Sequence, residues 1–203
     1  MKIAVLGAGA GGTAVAFDCA SFGHDVRLFD FPEFPENIAK IADQQGIHAE
    51  GDVSGFGAIS SASHDIDVTI DGAELIYVVG PAYSTTPFGK AVAGKLQAGQ
   101  TVIVSPCSCG GALAFKKAAG LDVADDSIRV AETSTLHYAV RLTEPGRVRV
   151  FLKLKAGNLL AALPGKHTNA VLELIADVYP SMEPAESIMQ TSLQNANPII
   201  HPA

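Results

Sequence analysis

The chain has few cysteines, a deficit of basic residues and no apolar run long enough to cross a membrane. Its three cysteines, one of them inside the first predicted helix, give no disulfide framework and favour a reducing compartment. Fourteen lysines and arginines against twenty-one acidic residues leave a net charge of −7, which argues against a nucleic-acid surface. Because a strand-like run begins at residue 2, we also expect no signal peptide. These absences predict a cytoplasmic protein with no membrane or nucleic-acid partner.

What the chain does have is the composition of a packed globule. Of its 203 residues, 48% are hydrophobic and 17% are charged, which is enough apolar material for one good core. The sequence contains no internal repeat and no low-complexity segment. It leaves the oligomeric state open, and a homodimer is one possible assembly.

The organising feature of the sequence lies in residues 1–30. Residues 2–6 (KIAVL) form a short apolar run typical of a strand, and residues 7–12 (GAGAGG) follow directly. Residues 13–22 are apolar on most sides, as in a helix packed on a sheet, and a second strand-like run ends on Asp30. A G-x-G-x-x-G pattern between a strand and a helix, with an acidic residue closing the next strand, is typical of a dinucleotide-binding site.

Each glycine of this pattern has a separate physical role. Gly7 permits the tight turn, Gly9 lets a pyrophosphate approach the backbone, and Gly12 lets the helix pack closely on the sheet. The N–H groups at the start of the helix, including those of Ala10 and Gly11, are expected to receive the phosphates.

The acidic residue predicts which dinucleotide is bound. Asp30 would accept hydrogen bonds from both hydroxyls of the adenosine ribose, and its charge would repel a 2′-phosphate. Residues 31–33 (FPE) supply no arginine for such a phosphate. The predicted cofactor is therefore NAD rather than NADP. The alternative is that the glycines form only a strand-to-helix turn and that Asp30 is a solvated strand end.

Further along the chain, apolar runs of strand type alternate with helical patterns. Residues 75–79 and 101–104 are continuous apolar runs, of the kind that parallel sheets bury on both faces. Between them we predict a helix with Thr86 as its N-cap and Pro87 at its first position. The other predicted helices lie at 34–45, 110–119 and 171–178, with a turn or short helix at 65–72. We also predict a strand and an irregular hairpin at 47–59, an antiparallel hairpin at 137–154, and strands at 128–131 and 157–163, the last of the chain.

This alternation selects an α/β fold with a doubly wound, mostly parallel Rossmann-type sheet and an antiparallel hairpin. Ligands of such sheets lie at the carboxyl ends of the strands, so loops 7–12, 80–83 and 105–110 are the candidate walls of the site. Four residues of the later two loops are expected to contribute backbone walls to the cofactor cleft: Gly80, Pro81, Ala82 and Pro106.

The sequence closes with an unusual run of asparagines and prolines around a histidine, SLQNANPIIHP at residues 192–202. Asn197 before Pro198 is typical of the start of a helix. His201 follows, and histidine is the side chain best suited to exchange protons at neutral pH. On composition alone, the alternative of a histidine without a catalytic role stays open.

Four stretches make the whole chain resemble the octopine/nopaline (opine) dehydrogenase family. They are GAGAGG at 7–12, GGALAF at 110–115, ETSTLHYAVR at 132–141 and SLQNANPIIHP at 192–202. Members of that family have a Rossmann-type NAD(P) domain followed by a helical domain, and they reductively condense an amino acid with a 2-oxo acid. The resemblance implies an NAD-binding domain over residues 1–190 and the start of a helical substrate domain over residues 191–203. It also implies His201 as the catalytic general acid/base, and an amino acid and a 2-oxo acid as small-molecule substrates.

Two other functions stay open. The first is a related two-domain dehydrogenase that acts on glycerol 3-phosphate or a ketopantoate-like substrate. Such families usually use a lysine in the second half, whereas this terminal segment offers His201. The second, from a different class, is a non-catalytic NAD-binding module that senses the cofactor or scaffolds a partner.

The remaining chemistry-bearing residues have simpler interpretations. Cys107 and Cys109 have no second pair and no histidine at ligand spacing, so we expect packed loop residues and no metal site. Arg141 could hold a substrate carboxylate, but we interpret it as an ordinary strand residue. His137 is expected to pack in its strand, and His64, beside polar residues, is expected to be solvated.

Overall fold

The computed structural model describes residues 1–107 and 109–194, in which strands and helices alternate. The strands are β1 (Lys2–Leu6), β2 (Asp25–Phe29), β3 (Gly46–Gly51), β4 (Gly55–Ala58), β5 (Ser61–Ser63), β6 (Leu75–Val79), β7 (Thr101–Ser105), β8 (Arg129–Thr133), β9 (Tyr138–Glu144), β10 (Arg147–Lys153), β11 (Leu159–Leu163) and β12 (Glu183–Pro184). The helices are α1 (Ala10–Ser21), α2 (Pro35–Gln44), α3 (Ile66–Ile70), α4 (Thr85–Ala91), α5 (Gly111–Ala118), α6 (Thr168–Leu174) and α7 (Ile188–Leu193), with 3₁₀ turns at Ala82–Ser84 and Gly165–His167.

The chain forms two compact units. The first comprises Met1–Val79 and His137–Leu154, and it holds β1 to β6, β9, β10 and the helices α1 to α3. Of the described residues, the second comprises those within Gly80–Leu136 and 155–194, with the remaining strands and helices. Among residues 1–107 and 109–194, no helix is both long and apolar enough to cross a bilayer.

The first unit is built on a parallel sheet with the strand order β6-β1-β2-β5. β1 is central, and its Ile3 lies opposite Val26 on one side and Leu75 on the other. Both β1 after Lys2 and the whole of β6 are buried, which explains why these runs are continuously hydrophobic and do not alternate.

A second, four-stranded sheet in the same unit has the order β4-β3-β10-β9. The hairpins predicted at 47–59 and 137–154 are both confirmed, as β3–β4 and β9–β10. They join through a parallel pairing of β3 with β10, in which His48 lies opposite Arg147. The sequence does not predict this pairing, because the two strands are far apart along the chain and their local patterns carry no sign of a shared sheet.

A buried carboxylate fastens α1 to this second sheet. Asp18, on α1, is 2% exposed and accepts a hydrogen bond of 2.6 Å from the hydroxyl of Tyr138. The ammonium group of Lys153 lies 2.7 Å from the same carboxylate. A buried charge is tolerated when it is paired and hydrogen-bonded, so the two partners explain why an acidic residue sits in an otherwise apolar helix.

The second unit carries the strand order β7-β8-β11-β12, in which only the β8–β11 pair is antiparallel. The predicted strands at 101–104, 128–131 and 157–163 correspond to β7, β8 and β11. The expectation that β11 is the last strand is wrong, because β12 pairs with it and places Glu183 opposite Leu159. A two-residue strand of Glu and Pro has no hydrophobic pattern by which it could be predicted.

The predicted start of α4 is also wrong. The helix begins at Thr85 with Ser84 at the N-cap, and Ser84 makes no capping hydrogen bond through its side chain. The cause lies in the preceding residues, since the 3₁₀ turn Ala82–Ser84 runs directly into the helix and sets its first turn before Thr86 is reached. Pro87 is therefore the third helical residue rather than the first.

The predicted fold class is confirmed, with mostly parallel strands, alternating helices and an antiparallel hairpin. The division into residues 1–190 and 191–203 stays a prediction. α7 crosses that boundary, and residues 195–203 lie outside the described part of the chain.

Candidate cofactor site

Residues 7–12, which we call the glycine turn, connect β1 to α1. Gly7 has φ of 113°, a conformation that side chains rarely adopt, and its N–H donates to the carbonyl of Phe29 at 2.8 Å. α1 then begins at Ala10 with Gly9 as its N-cap. The glycine pattern therefore forms the turn that the sequence predicts.

The other two glycines of the motif differ in what surrounds them. A Cβ added at Gly12 would lie 1.7 Å from the carbonyl oxygen of Gly7, so this position is required for close packing of α1 on the turn. A Cβ added at Gly9 would meet nothing within 4 Å. The open space at Gly9 is the space that a pyrophosphate would need to approach the backbone.

Asp30 lies directly after β2 and is 9% exposed. Its Oδ2 accepts a hydrogen bond from the Ala8 N–H at 2.7 Å, and its Oδ1 accepts one from the Phe31 N–H at 2.8 Å. Burial raises the pKa of this carboxyl, while the N–H groups of Ala8 and Phe31 act in the opposite direction. Because each carboxylate oxygen can accept two hydrogen bonds, both retain capacity for a ribose hydroxyl.

A cavity of about 370 Å³ opens beside this carboxylate. Its volume falls within the range of small-molecule sites, which is about 300–1,000 Å³. Its charged lining residues are all acidic, and its apolar surface comes from an aromatic residue, a proline and a leucine of β9. The lining residues are Ala8, Gly9, Asp30, Glu33, Phe34, Pro35, Glu36, Asn37 and Leu142.

Two polar residues beside the site were not identified from the sequence. Asn37, on α2, donates from Nδ2 to the carbonyl oxygen of Ala8 at 2.5 Å. His64 lies 2.8 Å, through Nδ1, from the backbone carbonyl of Asp30. His64, which we expected to be solvated, is half-buried at the end of β2 and keeps part of its surface exposed. Neither residue belongs to a recognisable motif, so only the folded chain identifies them.

The structure brings the five predicted residues of the glycine turn together with Asp30 in the first unit. Gly80, Pro81 and Ala82 follow β6 in the chain and belong to the second unit, where Pro81 precedes the 3₁₀ turn. Pro106 follows β7 in that unit. Their roles as cleft walls stay predictions, as does the catalytic role of His201, which lies outside the described residues.

A buried carboxylate in the second unit holds α7. Glu132 is fully buried, and its Oε2 accepts from the Ala112 N–H at 2.8 Å. Its Oε1 accepts from the hydroxyls of Thr191 at 2.6 Å and Ser192 at 2.9 Å. The Ser192 hydroxyl oxygen in turn accepts from the Gly110 N–H at 2.8 Å. Three of the four stretches that carry the family resemblance, 110–115, 132–141 and 192–202, are therefore connected to one another by hydrogen bonds.

The other candidates have no site around them. Cys107 is buried, and burial raises the pKa of its thiol to about 11, whereas Cys109 is exposed. Within residues 1–107 and 109–194, no cluster of three or more histidine, cysteine or acidic side chains could hold a metal ion. Arg141 is exposed on β9 and donates to the carbonyl of Val140. Arg141 thus occupies the ordinary strand position that we expected, and Cys107 is packed as expected, whereas the expectation that Cys109 is packed is wrong.

A glycine turn that leads into a buried helix, with a carboxylate at the end of the adjacent parallel strand, defines a dinucleotide-binding domain of dehydrogenase type. Residues 2–111 match the family described as NAD-dependent glycerol-3-phosphate dehydrogenase N-terminus. The chain belongs to this family, and the predicted cofactor, NAD, agrees with it.

The resemblance to opine dehydrogenases is also confirmed. The chain is 32% identical over 200 residues to the opine dehydrogenase of Arthrobacter sp. (strain 1C), covering 98% of this chain and 55% of that protein. An octopine dehydrogenase solved with NADH and pyruvate has a TM-score of 0.84 at 19% identity, covering 98% of this chain and 53% of the other. A ketopantoate reductase of the PanE/ApbA family from Ralstonia eutropha has a TM-score of 0.69 at 21% identity, covering 91% of this chain and 56% of the other. The chain thus spans about half the length of the relatives that it matches.

Proposed function

We propose that this chain is the NAD-binding part of an oxidoreductase of opine dehydrogenase type, which reductively condenses an amino acid with a 2-oxo acid. The observation that carries the proposal is the Asp30 carboxylate beside the glycine turn, in a chain that is 32% identical to an opine dehydrogenase over nearly its whole length. Bound NADH would supply the hydride that reduces the condensed imine.

The residues of the first unit fit the adenosine half of NADH. The N–H groups at the start of α1 would receive the pyrophosphate at Gly9, Ala10 and Gly11, where no side chain stands in the way at Gly9. Asp30 would accept the ribose hydroxyls. A 2′-phosphate would meet Asp30, Glu33 and Glu36 in a cavity whose lining has no lysine or arginine, which favours NADH over NADPH.

His201 is the residue that we propose for proton transfer. As a general acid, its imidazolium would protonate the oxygen that leaves when the amine and the 2-oxo acid condense, and as a base it would take the proton of the amine. Gly80, Pro81, Ala82 and Pro106 are proposed as backbone walls of the cleft. A cytoplasmic location and a homodimer belong to the same proposal.

Turnover tests this proposal directly. NADH consumption is followed by absorbance for the protein as its gene encodes it, with pyruvate and a panel of amino acids, each substrate being omitted in turn. We chose pyruvate because the octopine dehydrogenase of similar fold was solved with it. We expect turnover that requires both substrates, and a loss of about 10²- to 10⁴-fold in kcat for His201→Ala.

Other outcomes would replace the proposal. Turnover with pyruvate alone would indicate a simple 2-hydroxy-acid dehydrogenase. Turnover with ketopantoate or dihydroxyacetone phosphate would support the second candidate, which the matching glycerol-3-phosphate dehydrogenase family and the ketopantoate reductase fold favour. NADH binding without any turnover would favour the non-catalytic module.

A further inference from the structure

Asn37 makes three hydrogen bonds that connect separate parts of the first unit. Its Nδ2 donates to the carbonyl oxygen of Ala8 at 2.5 Å and to the hydroxyl oxygen of Thr13 at 3.0 Å. Its Oδ1 accepts from the N–H of Gly146, in the turn between β9 and β10, at 2.7 Å. One half-buried side chain thus joins α2, the glycine turn and the hairpin of the second sheet.

These contacts, together with Asp30, fix both polar groups of Ala8. The Ala8 N–H donates to the Asp30 carboxylate at 2.7 Å. The Ala8 carbonyl accepts from Asn37 and also from the Thr13 hydroxyl at 3.2 Å. Because a trans peptide points its C=O and N–H in opposite directions, the N–H of Gly9 points away from Asn37.

This orientation matters for an anion. A carbonyl oxygen that faced the open space at Gly9 would repel a pyrophosphate, whereas an N–H in that direction would attract it. A turn held in advance in the attractive orientation loses less conformational entropy when the ligand binds. The two donors on the Ala8 carbonyl therefore favour the state of the glycine turn that can receive phosphate.

We propose that Asn37 is a positioning residue for the cofactor, which holds the Ala8 carbonyl away from the pyrophosphate and couples the glycine turn to the β9–β10 hairpin. The inference rests on the proposed function, in that the glycine turn binds the pyrophosphate of NADH. Asn37 acts through the backbone of the turn, so its effect falls on ligands that carry the pyrophosphate.

The test compares two ligands on three variants of the full chain. ADP-ribose carries the pyrophosphate and adenosine does not, and both are measured by displacement of NADH fluorescence. Asn37→Leu removes the donor and keeps the number of side-chain heavy atoms. Thr13→Val removes the second donor from a fully buried site outside the cavity lining. Gln44→Leu is the matched control, because the Gln44 amide donates to the Gly46 and Gly146 carbonyls, outside the glycine turn.

For Asn37→Leu and Thr13→Val we expect ADP-ribose to bind roughly tenfold more weakly, the loss typical of a hydrogen bond that orients a charged ligand. Adenosine affinity should change less than about twofold, and Gln44→Leu should leave both ligands unchanged. Melting curves without ligand establish that each variant is folded.

Three results would overturn the inference. One is an equal loss of affinity for ADP-ribose and for adenosine in Asn37→Leu, which would mean that Asn37 only lines the cavity. Another is a loss of ADP-ribose affinity in Gln44→Leu as large as that in Asn37→Leu, which would assign the effect to the β9–β10 hairpin. The third is unchanged ADP-ribose binding in both Asn37→Leu and Thr13→Val. Failure of the unsubstituted chain to bind NADH would instead remove the proposed function itself.

Discussion

Replacing Gly12 with alanine should lower the stability of the fold, whereas replacing Gly9 with alanine should weaken cofactor binding. In Gly12→Ala the new Cβ would lie 1.7 Å from the Gly7 carbonyl oxygen, where ordinary contact begins near 3.4 Å. Both atoms belong to backbone or are attached directly to it, so α1 or the turn has to move by more than an ångström. We expect a loss of at least about 3 kcal/mol in the free energy of unfolding, at the upper end of overpacking costs.

Gly9→Ala should leave stability almost unchanged. The residue has φ of −70° and ψ of −176°, which alanine adopts readily, and the added methyl group meets nothing within 4 Å. The lower entropy of the unfolded chain would favour the variant and the poorer N-cap would oppose it, so the net change should stay within about 1 kcal/mol. NADH binding, however, should weaken, because the methyl group occupies the space into which the pyrophosphate would fit. An overlap costing about 1–3 kcal/mol corresponds to roughly 5- to 150-fold in Kd.

Thermal melting and an NADH fluorescence titration on both variants separate the two effects. We predict an unstable Gly12→Ala and a stable Gly9→Ala with impaired NADH binding. A Gly9→Ala variant that binds NADH as tightly as the unsubstituted chain would refute the assignment of that open space to the cofactor. A Gly12→Ala variant of normal stability would contradict the packing argument.

The remaining predictions concern other buried groups. Burial lowers the pKa of His137 to about 3, so only the unfolded chain takes up this proton as the pH falls below about 6.5, and stability is lost in that range. Urea unfolding at pH 7 and at pH 4 measures this loss. Between these two pH values, the free energy of unfolding should fall by about 3 kcal/mol less in His137→Gln than in the unsubstituted chain, and an equal fall in both would contradict this. Glu132→Leu should lower the free energy of unfolding by about 1–3 kcal/mol, since the Ala112 N–H is left without its acceptor. Glu144→Ala is the control, because it breaks an exposed ion pair with Arg147, and it should lower the free energy of unfolding by less than about 1 kcal/mol. An equal loss of stability in Glu132→Leu and Glu144→Ala would refute the role of Glu132. A thiol reagent at neutral pH should modify Cys109 rapidly in the native chain and all three cysteines only after unfolding, whereas rapid reaction of a second thiol would contradict the burial of the other two.

Local patterns predict the parts of this fold that local chemistry determines. The continuous apolar runs of β1, β6 and β7 are confirmed, because a parallel sheet that is buried on both faces needs hydrophobic residues without alternation. The glycine turn is also confirmed, since Gly7 and Gly12 occupy positions that other residues would strain or fill.

Contacts between distant residues are what the sequence does not predict. The pairing of β3 with β10 depends on two hairpins that meet only in the folded chain. The shared position of Leu142 and Asn37 in the cavity lining is not predicted either, because Leu142 lies on β9 and Asn37 lies on α2, far away along the chain. An exposed leucine in a strand and an asparagine in a helix have no motif of their own. Even the first residue of α4 depended on a 3₁₀ turn that no pattern indicated.

An equilibrium titration with NADH and with NADPH tests the central claim most directly. We predict that the chain binds NADH and that NADPH binds roughly tenfold more weakly or worse, because a 2′-phosphate would be repelled by the carboxylates of Asp30, Glu33 and Glu36. Asp30→Asn should reduce the difference in affinity between NADH and NADPH. Tighter binding of NADPH than of NADH, or no binding of either, would contradict the assignment of this cavity to NAD.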